Sequence, residues 1–216
     1  MSSFWLKITA VILMLIDHIG LLFFPAKLLF RYIGRISFPI FAFQIIKGFE
    51  HTKSREKYIL RMLLLTIIAQ IPSIMFLKVA VPNAAFSLNI GATFTVGLLL
   101  LYVIEEVNPW AFKIPLFALI TAITLFIPFE YGWFGISLIL ILYLFKDSKI
   151  VLGFVYACLL GLYCYSKKSL FPLPAICALL PIFLYNGKQG PKVKYLFYTF
   201  YPVHFIILLA IRSVIA

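Results

Sequence analysis

The pair Asp17-His18 stands inside an apolar run that begins after Lys7 and ends near Pro25. An ionisable group within a membrane-crossing helix costs about 2.5–3.5 kcal/mol on insertion scales, so each one is a candidate for function. A neutral imidazole in a partly buried site accepts a proton near pH 7, which makes His18 a candidate general base. Successive residues lie about 100° apart around a helix, so Asp17 is not expected to orient His18 directly, and each side chain looks to another helix for its partner. Arg35, in Gly34-Arg35-Ile36-Ser37-Phe38-Pro39, enters an apolar stretch and is the natural countercharge for Asp17. Two readings of the pair stand at this point: acid–base chemistry, or polar groups that hold helices together.

Other polar residues interrupt the apolar runs more sparsely. His204, in Tyr201-Pro202-Val203-His204, is a second buried imidazole. Its proline is expected to break the last helix and open a backbone pocket, while the plainer reading is a packed histidine beside Tyr201. Gln44, Gln70 and Asn89 fall mid-span and read as hydrogen-bonding glue between helices. His51 belongs to the basic loop Glu50-His51-Thr52-Lys53-Ser54-Arg55-Glu56-Lys57. Such loops hold topology; alternatively, Lys53, Arg55, Lys57 and Arg61 attract a phosphorylated ligand. Glu130-Tyr131-Gly132-Trp133 reads as an interfacial turn whose carboxylate meets solvent. Cys158, Cys164 and Cys177 lack metal or redox spacing, and no metal centre is expected. There is no His-Glu-x-x-His, Gly-rich phosphate loop or Gly-x-Ser-x-Gly, which sets aside most soluble-enzyme templates.

The elements that position these residues follow from composition. Hydrophobic residues make up 64% of the 216 positions and charged ones 12%, with a mean hydropathy of +1.08, unlike any water-soluble domain. A bilayer span takes about 20 apolar residues. Pro, Gly and charge divide the chain into apolar segments at 5–24, 32–48, 58–77, 86–104, 111–128, 133–146, 150–165, 170–186 and 194–215. The expectation is an all-α, polytopic transmembrane bundle of about nine helices (eight to ten), forming a single integral membrane domain over 1–216. Segments 133–146 and 150–165 are short for full spans, which leaves room for one re-entrant piece. Continuous apolar stretches such as Leu138 to Phe145 exclude the alternating pattern of a β-barrel. The first run contains Asp17 and His18 and no small-residue cleavage site, so it is expected to stay attached as a helix.

The net charge of +12 would suggest nucleic acid in a soluble protein; here the basic residues sit between apolar runs and face anionic lipid, so no nucleic-acid partner is expected. With the N-terminus cytoplasmic, the inner side carries Lys47, Lys53, Arg55, Lys57, Arg61, Lys113, Lys146, Lys149, Lys188, Lys192 and Lys194. The outer side carries Lys27, Arg31, Arg35, Lys78, Lys167 and Lys168. The imbalance favours that orientation in a cytoplasmic membrane. Lys27, Arg31 and Arg35 are out of place as outer anchors, and a functional site would explain them.

Asp17-His18-Ile19-Gly20, the stretch Gly34 to Phe43 and Gly48-Phe49 resemble the TraX family of membrane acetyltransferases. The likeness continues through Lys53 to Arg61, Gln70-Ile71-Pro72, Leu88-Asn89, Tyr131-Gly132 and Phe197 to His204, nearly the whole chain. The family's named member acetylates the N-terminal amine of a conjugative pilin subunit. The resemblance therefore implies acetyl-CoA as donor and a peptide, glycan or lipid acceptor at the membrane. A wider group of membrane acyltransferases places a basic residue ahead of a catalytic His with ten residues between them, and Lys7 and His18 keep that spacing, although that group's Arg-x-x-Arg signature is absent. On this reading Lys53, Arg55, Lys57 and Arg61 dock the phosphates of coenzyme A. His18 is the base, Arg35 stabilises the oxyanion, and Asp17 holds Arg35 or another helix. The competing functions are a small proton-coupled transporter built on Asp17 and His18, and a structural assembly factor.

Overall fold

A computed structural model describes residues 1–191 and 194–215, and the side chains of all of these except 125 and 194–197. Lys192 and the Lys194 and Phe197 side chains therefore lie outside the described residues. The helices are α1 (Ser3–Phe23), α2 (Leu28–Gly34), α3 (Ser37–His51), α4 (Arg55–Ala80), α5 (Ile90–Glu106), α6 (Trp110–Phe126), α7 (Gly132–Leu144), α8 (Lys149–Ser166), α9 (Leu179–Phe183) and α10 (Lys194–Ile215). Counting α2 and α3 as one interrupted span gives nine helical segments among the described residues, and the fold is the all-α membrane bundle that the composition implies.

Polar caps start several helices. Ser54, Asn89 and Ser148 each accept a backbone N–H of the first turn, from Lys57, Gly91 and Val151. At α1 the chain itself supplies the caps: the Ser3 and Phe4 N–H groups donate to the Lys188 and Gln189 carbonyls. Gly190 makes that approach possible, since it adopts φ +72° and a Cβ there would press on Phe4. The break between α2 and α3 comes from Pro39, which cannot donate to the Arg35 carbonyl and crowds it. Ser37 Oγ then donates to the Gly34 carbonyl at 2.8 Å and closes the interruption.

Five segments are long and apolar enough to cross a bilayer: Ser3–Phe23, Leu28–His51, Arg55–Ala80, Lys149–Ser166 and Tyr198–Ile215. Of the two segments expected to be short, 133–146 is short, with 13 residues in α7, whereas 150–165 is filled by the 18 residues of α8; 170–186 is short as well. Pro172, Pro174 and Pro181 leave that stretch as a 3₁₀ turn over Leu173–Ala178 followed by the five-residue α9. Pro202, by contrast, does not break α10, which runs through it. Large apolar side chains such as Leu60, Ile67, Ile68 and Ile71 cover the outside of α4, as lipid contact requires.

The main core joins α1, α3, α5, α7 and α8 around Leu6, Phe38, Ile46, Phe49, Leu98, Leu138 and Tyr156. A smaller cluster of Leu22, Phe76, Phe205 and Leu208 lies where α1, α4 and α10 meet. One β-bridge, Leu88 with Phe129, ties the approach to α5 to the turn before α7, with Glu130 N–H donating to Leu88 O at 3.1 Å.

Candidate functional site

Asp17 and His18 do face different neighbours. Asp17 points to α2, where Arg31 Nη1 donates to Oδ2 at 2.5 Å and Arg35 Nη2 stands 3.5 Å from the same oxygen. The strongest partner is therefore Arg31, one turn ahead of the predicted Arg35. Gly34 sits against this carboxylate, and a Cβ there would fall on Asp17 Oδ1. Gly20 likewise admits Phe30 of α2. These two glycines let α1 and α2 approach closely enough for the ion pair to form. Removing one partner of so enclosed a pair leaves an uncompensated buried charge, which costs about 3–5 kcal/mol.

His18 points the other way, to α10. His204 Nε2 lies 3.1 Å from His18 Nδ1, and His204 Nδ1 lies 3.0 Å from the Phe200 carbonyl. A carbonyl only accepts, so His204 Nδ1 carries its proton. Neutral His204 then presents a lone pair at Nε2, and His18 must donate to it from Nδ1. The neutral form of His18 left by this chain holds its lone pair on Nε2, ready to take a proton. Phe76 and Phe205, with ring centroids 5.2 and 5.0 Å from His18, hold the imidazole in place. His204 is thus the group that orients His18, a role for which Asp17 was the obvious sequence neighbour.

Asp17 and His18 border a cavity of about 500 Å³. At one end it is lined by Ser3, Lys7, Lys47, His51, Arg61 and Gln189, and at the other by Asp17, His18, Ser73, Glu130, Tyr131 and Tyr201. From Ser3 to His18 along α1 is roughly 22 Å at 1.5 Å per residue. Gln44 Nε2, Arg61 Nε and Asp17 Oδ1 are buried cavity-lining residues' atoms without a hydrogen-bond partner among the described residues.

Glu130 is exposed, as expected of a turn residue, and it also belongs to the lining of this cavity, beside the Leu88–Phe129 bridge. The protein packed around it pushes its carboxyl above the ordinary range, against the opposing pull of Arg35. With Asp17 it sets two carboxylates against the two guanidiniums of Arg31 and Arg35. Tyr131 is stacked on Phe38 at 3.8 Å and belongs to the packed interior more than to an interface.

Of the basic residues singled out from the sequence, Arg61 lines the cavity, with its guanidinium 5.8 Å over the Tyr58 ring. Lys53 and Lys57 are exposed and are not part of the lining. Arg55 bonds Glu106 and lies 3.7 Å from Glu105. Lys7 and Lys47, which the loop pattern did not include, take their place. Arg35 borders a second, smaller cavity of about 230 Å³ with Tyr131, Tyr163 and Lys167. Asn89 and Gln70 are the predicted glue: Asn89 N–H donates to Gln70 Oε1, and Asn89 Nδ2 to the Thr66 carbonyl, both at 2.9 Å. The clue to Arg31 was the unexplained outer charge at Lys27, Arg31 and Arg35; nothing local linked His204 to His18, 186 residues away.

A family model described as TraX protein matches residues 2–212. The chain is 29% identical to a protein of Dichelobacter nodosus described as probable fimbrial assembly protein FimC, serogroup H1, in an alignment covering 96% of this chain and 94% of the relative. It is 37% identical to an uncharacterized protein of Rickettsia prowazekii (strain Madrid E) over 40% of this chain and 33% of that protein. No solved structure matches.

Proposed function

The chain belongs to the TraX family, and from that premise we propose a membrane-embedded acyltransferase that moves an acetyl group from acetyl-CoA to an amine or hydroxyl of an envelope acceptor, with His18 as general base. The observation that carries this reading is one cavity joining a basic mouth to an imidazole whose proton-accepting nitrogen is set by its neighbour.

The residues present fit such a donor. Lys7, Arg61 and Lys47, whose ammonium is also held by Glu50 at 2.7 Å, are the cavity-lining cations that would meet its phosphates, and Arg61 Nε is a buried donor without a partner among the described residues. They replace the Lys53, Arg55 and Lys57 of the sequence pattern. About a dozen bonds separate the donor's phosphates from its sulfur, or about 14 Å when extended at ~1.2 Å per bond. Measured from the level of Lys7, about 16 Å from His18 along α1, an arm of that length brings the thioester close to the imidazole. A cytoplasmic N-terminus would put the basic mouth on the side where the donor is made, in agreement with the excess of Lys and Arg there.

The donor supplies an acyl group already activated as a thioester. The acceptor N–H or O–H gives its proton to His18 Nε2 as its heavy atom bonds the carbonyl carbon. The C–S bond then breaks, and His18 returns the proton to the departing thiolate. His204 Nε2 accepts from His18 Nδ1 throughout. Arg35 serves with Arg31 to anchor Asp17 and fix α2 against α1, rather than as the oxyanion donor, because it lines the other cavity. Tyr131 and Tyr201 are the hydroxyls available to the carbonyl oxygen at the His18 end. A peptide amine is the acceptor favoured by the family's pilin-acetylating member and by the fimbrial assembly relative.

The test incubates purified protein and envelope fractions with labelled acetyl-CoA and identifies the acetylated molecule by mass spectrometry. Wild type should transfer label, and His18→Ala should lose about 100- to 10,000-fold in rate while staying folded. Equal transfer by the variant would remove His18 from the chemistry.

A further inference from the structure

The three unpartnered atoms on cavity-lining residues are not alike. Asp17 Oδ1 is packed against the Gly34 backbone, and Arg61 Nε belongs to the basic mouth. Gln44 stands on α3 one turn inward of Lys47, is 5% exposed, and has one half of its amide occupied: Ser3 Oγ donates to Oε1 at 2.7 Å. The other half, Nε2, is buried with nothing to bond among the described residues, on a side chain that belongs to the cavity wall. A buried donor left unmade costs about 1–3 kcal/mol, so it is retained where a ligand or water completes it.

The serine hydroxyl can give or accept, and a carboxamide offers a donor at one end and an acceptor at the other. Whichever end meets Ser3, the remaining one is left without a partner in the cavity wall. The matching ligand group is one that also carries both functions, an amide. Beyond Gln44 the lining turns apolar at Val11, Met14, Phe41 and Leu65 before Asp17 and His18 are reached. A chain threaded from the mouth therefore meets a carboxamide early and an apolar sleeve afterwards.

We propose that Ser3 and Gln44 form an amide-recognition subsite that binds an amide of the donor's linear arm and so selects a pantetheine-bearing thioester over a phosphorylated nucleotide alone. The inference rests on the acetyl-CoA reading above. Gln44 is then a binding residue as well as a link between α1 and α3 through Ser3.

Purified full-length protein in nanodiscs, titrated calorimetrically, tests it with two ligands: acetyl-CoA, and adenosine 3′,5′-bisphosphate, which keeps nucleotide and phosphates but has no arm. Gln44→Met preserves length and volume without the amide. It should weaken acetyl-CoA about tenfold, the usual size of one hydrogen bond to a buried partner, and leave the nucleotide within twofold. Ser3→Ala, which unpins Gln44 with minimal change in packing, should give a smaller loss with the same selectivity, and it decides the matter if Gln44→Met does not fold. Unchanged acetyl-CoA affinity in the folded variants would assign the free amide to water and overturn the subsite. An equal loss for both ligands would also overturn it, since the arm would then not be what Gln44 reads. Wild-type protein that binds neither ligand would instead refute the donor reading itself.

Discussion

Two groups of buried polar side chains lie inside this apolar bundle, and they are built on opposite plans. Between α4 and α5, Asn89, Gln70, Thr66 and Thr95 are all paired, although Thr93 on α5 leaves its buried Oγ1 without a partner among the described residues. Asn89 Oδ1 accepts Gly91 N–H at 2.8 Å, Gln70 Nε2 donates to the Ser87 carbonyl at 3.1 Å, Thr66 and Thr95 Oγ1 stand 3.2 Å apart, and each threonine also donates to a carbonyl one turn earlier. Asn89, Gln70, Thr66 and Thr95 are absent from the cavity wall. Between α1, α2 and α10 the group borders the cavity, leaves Asp17 Oδ1 without a partner and presents an imidazole to the open space. Polar groups buried in an apolar medium hold helices together when their bonds are complete. Where they open onto a cavity, the same chemistry is available to a ligand.

Substitutions on the two sides should separate that contrast. Asp17→Ala should have the largest effect on the bundle itself, about 3–5 kcal/mol of stability, because Arg31 and Arg35 lose their shared anion. Denaturant unfolding in detergent reads it, and a loss below about 1 kcal/mol would show that the pair is solvated. His204→Ala should be next: with His18 no longer held in one tautomer, transfer should fall about 10- to 100-fold with little change in unfolding, the range seen when outer-shell partners are removed from a working imidazole. His204→Gln, which retains an acceptor, should recover part of the rate. Asn89→Ala should be smallest and of the opposite kind, costing about 1–2 kcal/mol through the lost α5 cap while the rate per folded molecule stays at the wild-type value. A fall in rate there without a fall in stability would erase the distinction between the two groups.

The same contrast explains how legible each part was beforehand. Gln70 and Asn89 were readable as glue because a neutral amide in a span bonds whatever helix it meets. The cation set was only partly readable. Lys53 precedes α4, and Arg55, Lys57 and Arg61 lie in its first two turns rather than in a loop, yet of these four only Arg61 lines the cavity, because the lining is selected by helix rotation and not by proximity in the chain. Glu130 was readable as a solvent-facing turn residue and is exposed, but its place on the cavity wall had no local sequence signal.

From the sequence by itself came the membrane bundle, through the lengths of its apolar runs. Separate partners for Asp17 and His18 came from it too, because adjacent residues on a helix cannot share a face. Tertiary structure decided which partners those are: Arg31 ahead of Arg35 for one, and His204 on the last helix for the other. Periodicity tells which side of a helix is polar. Only the packing of whole helices against one another determines what that side will touch.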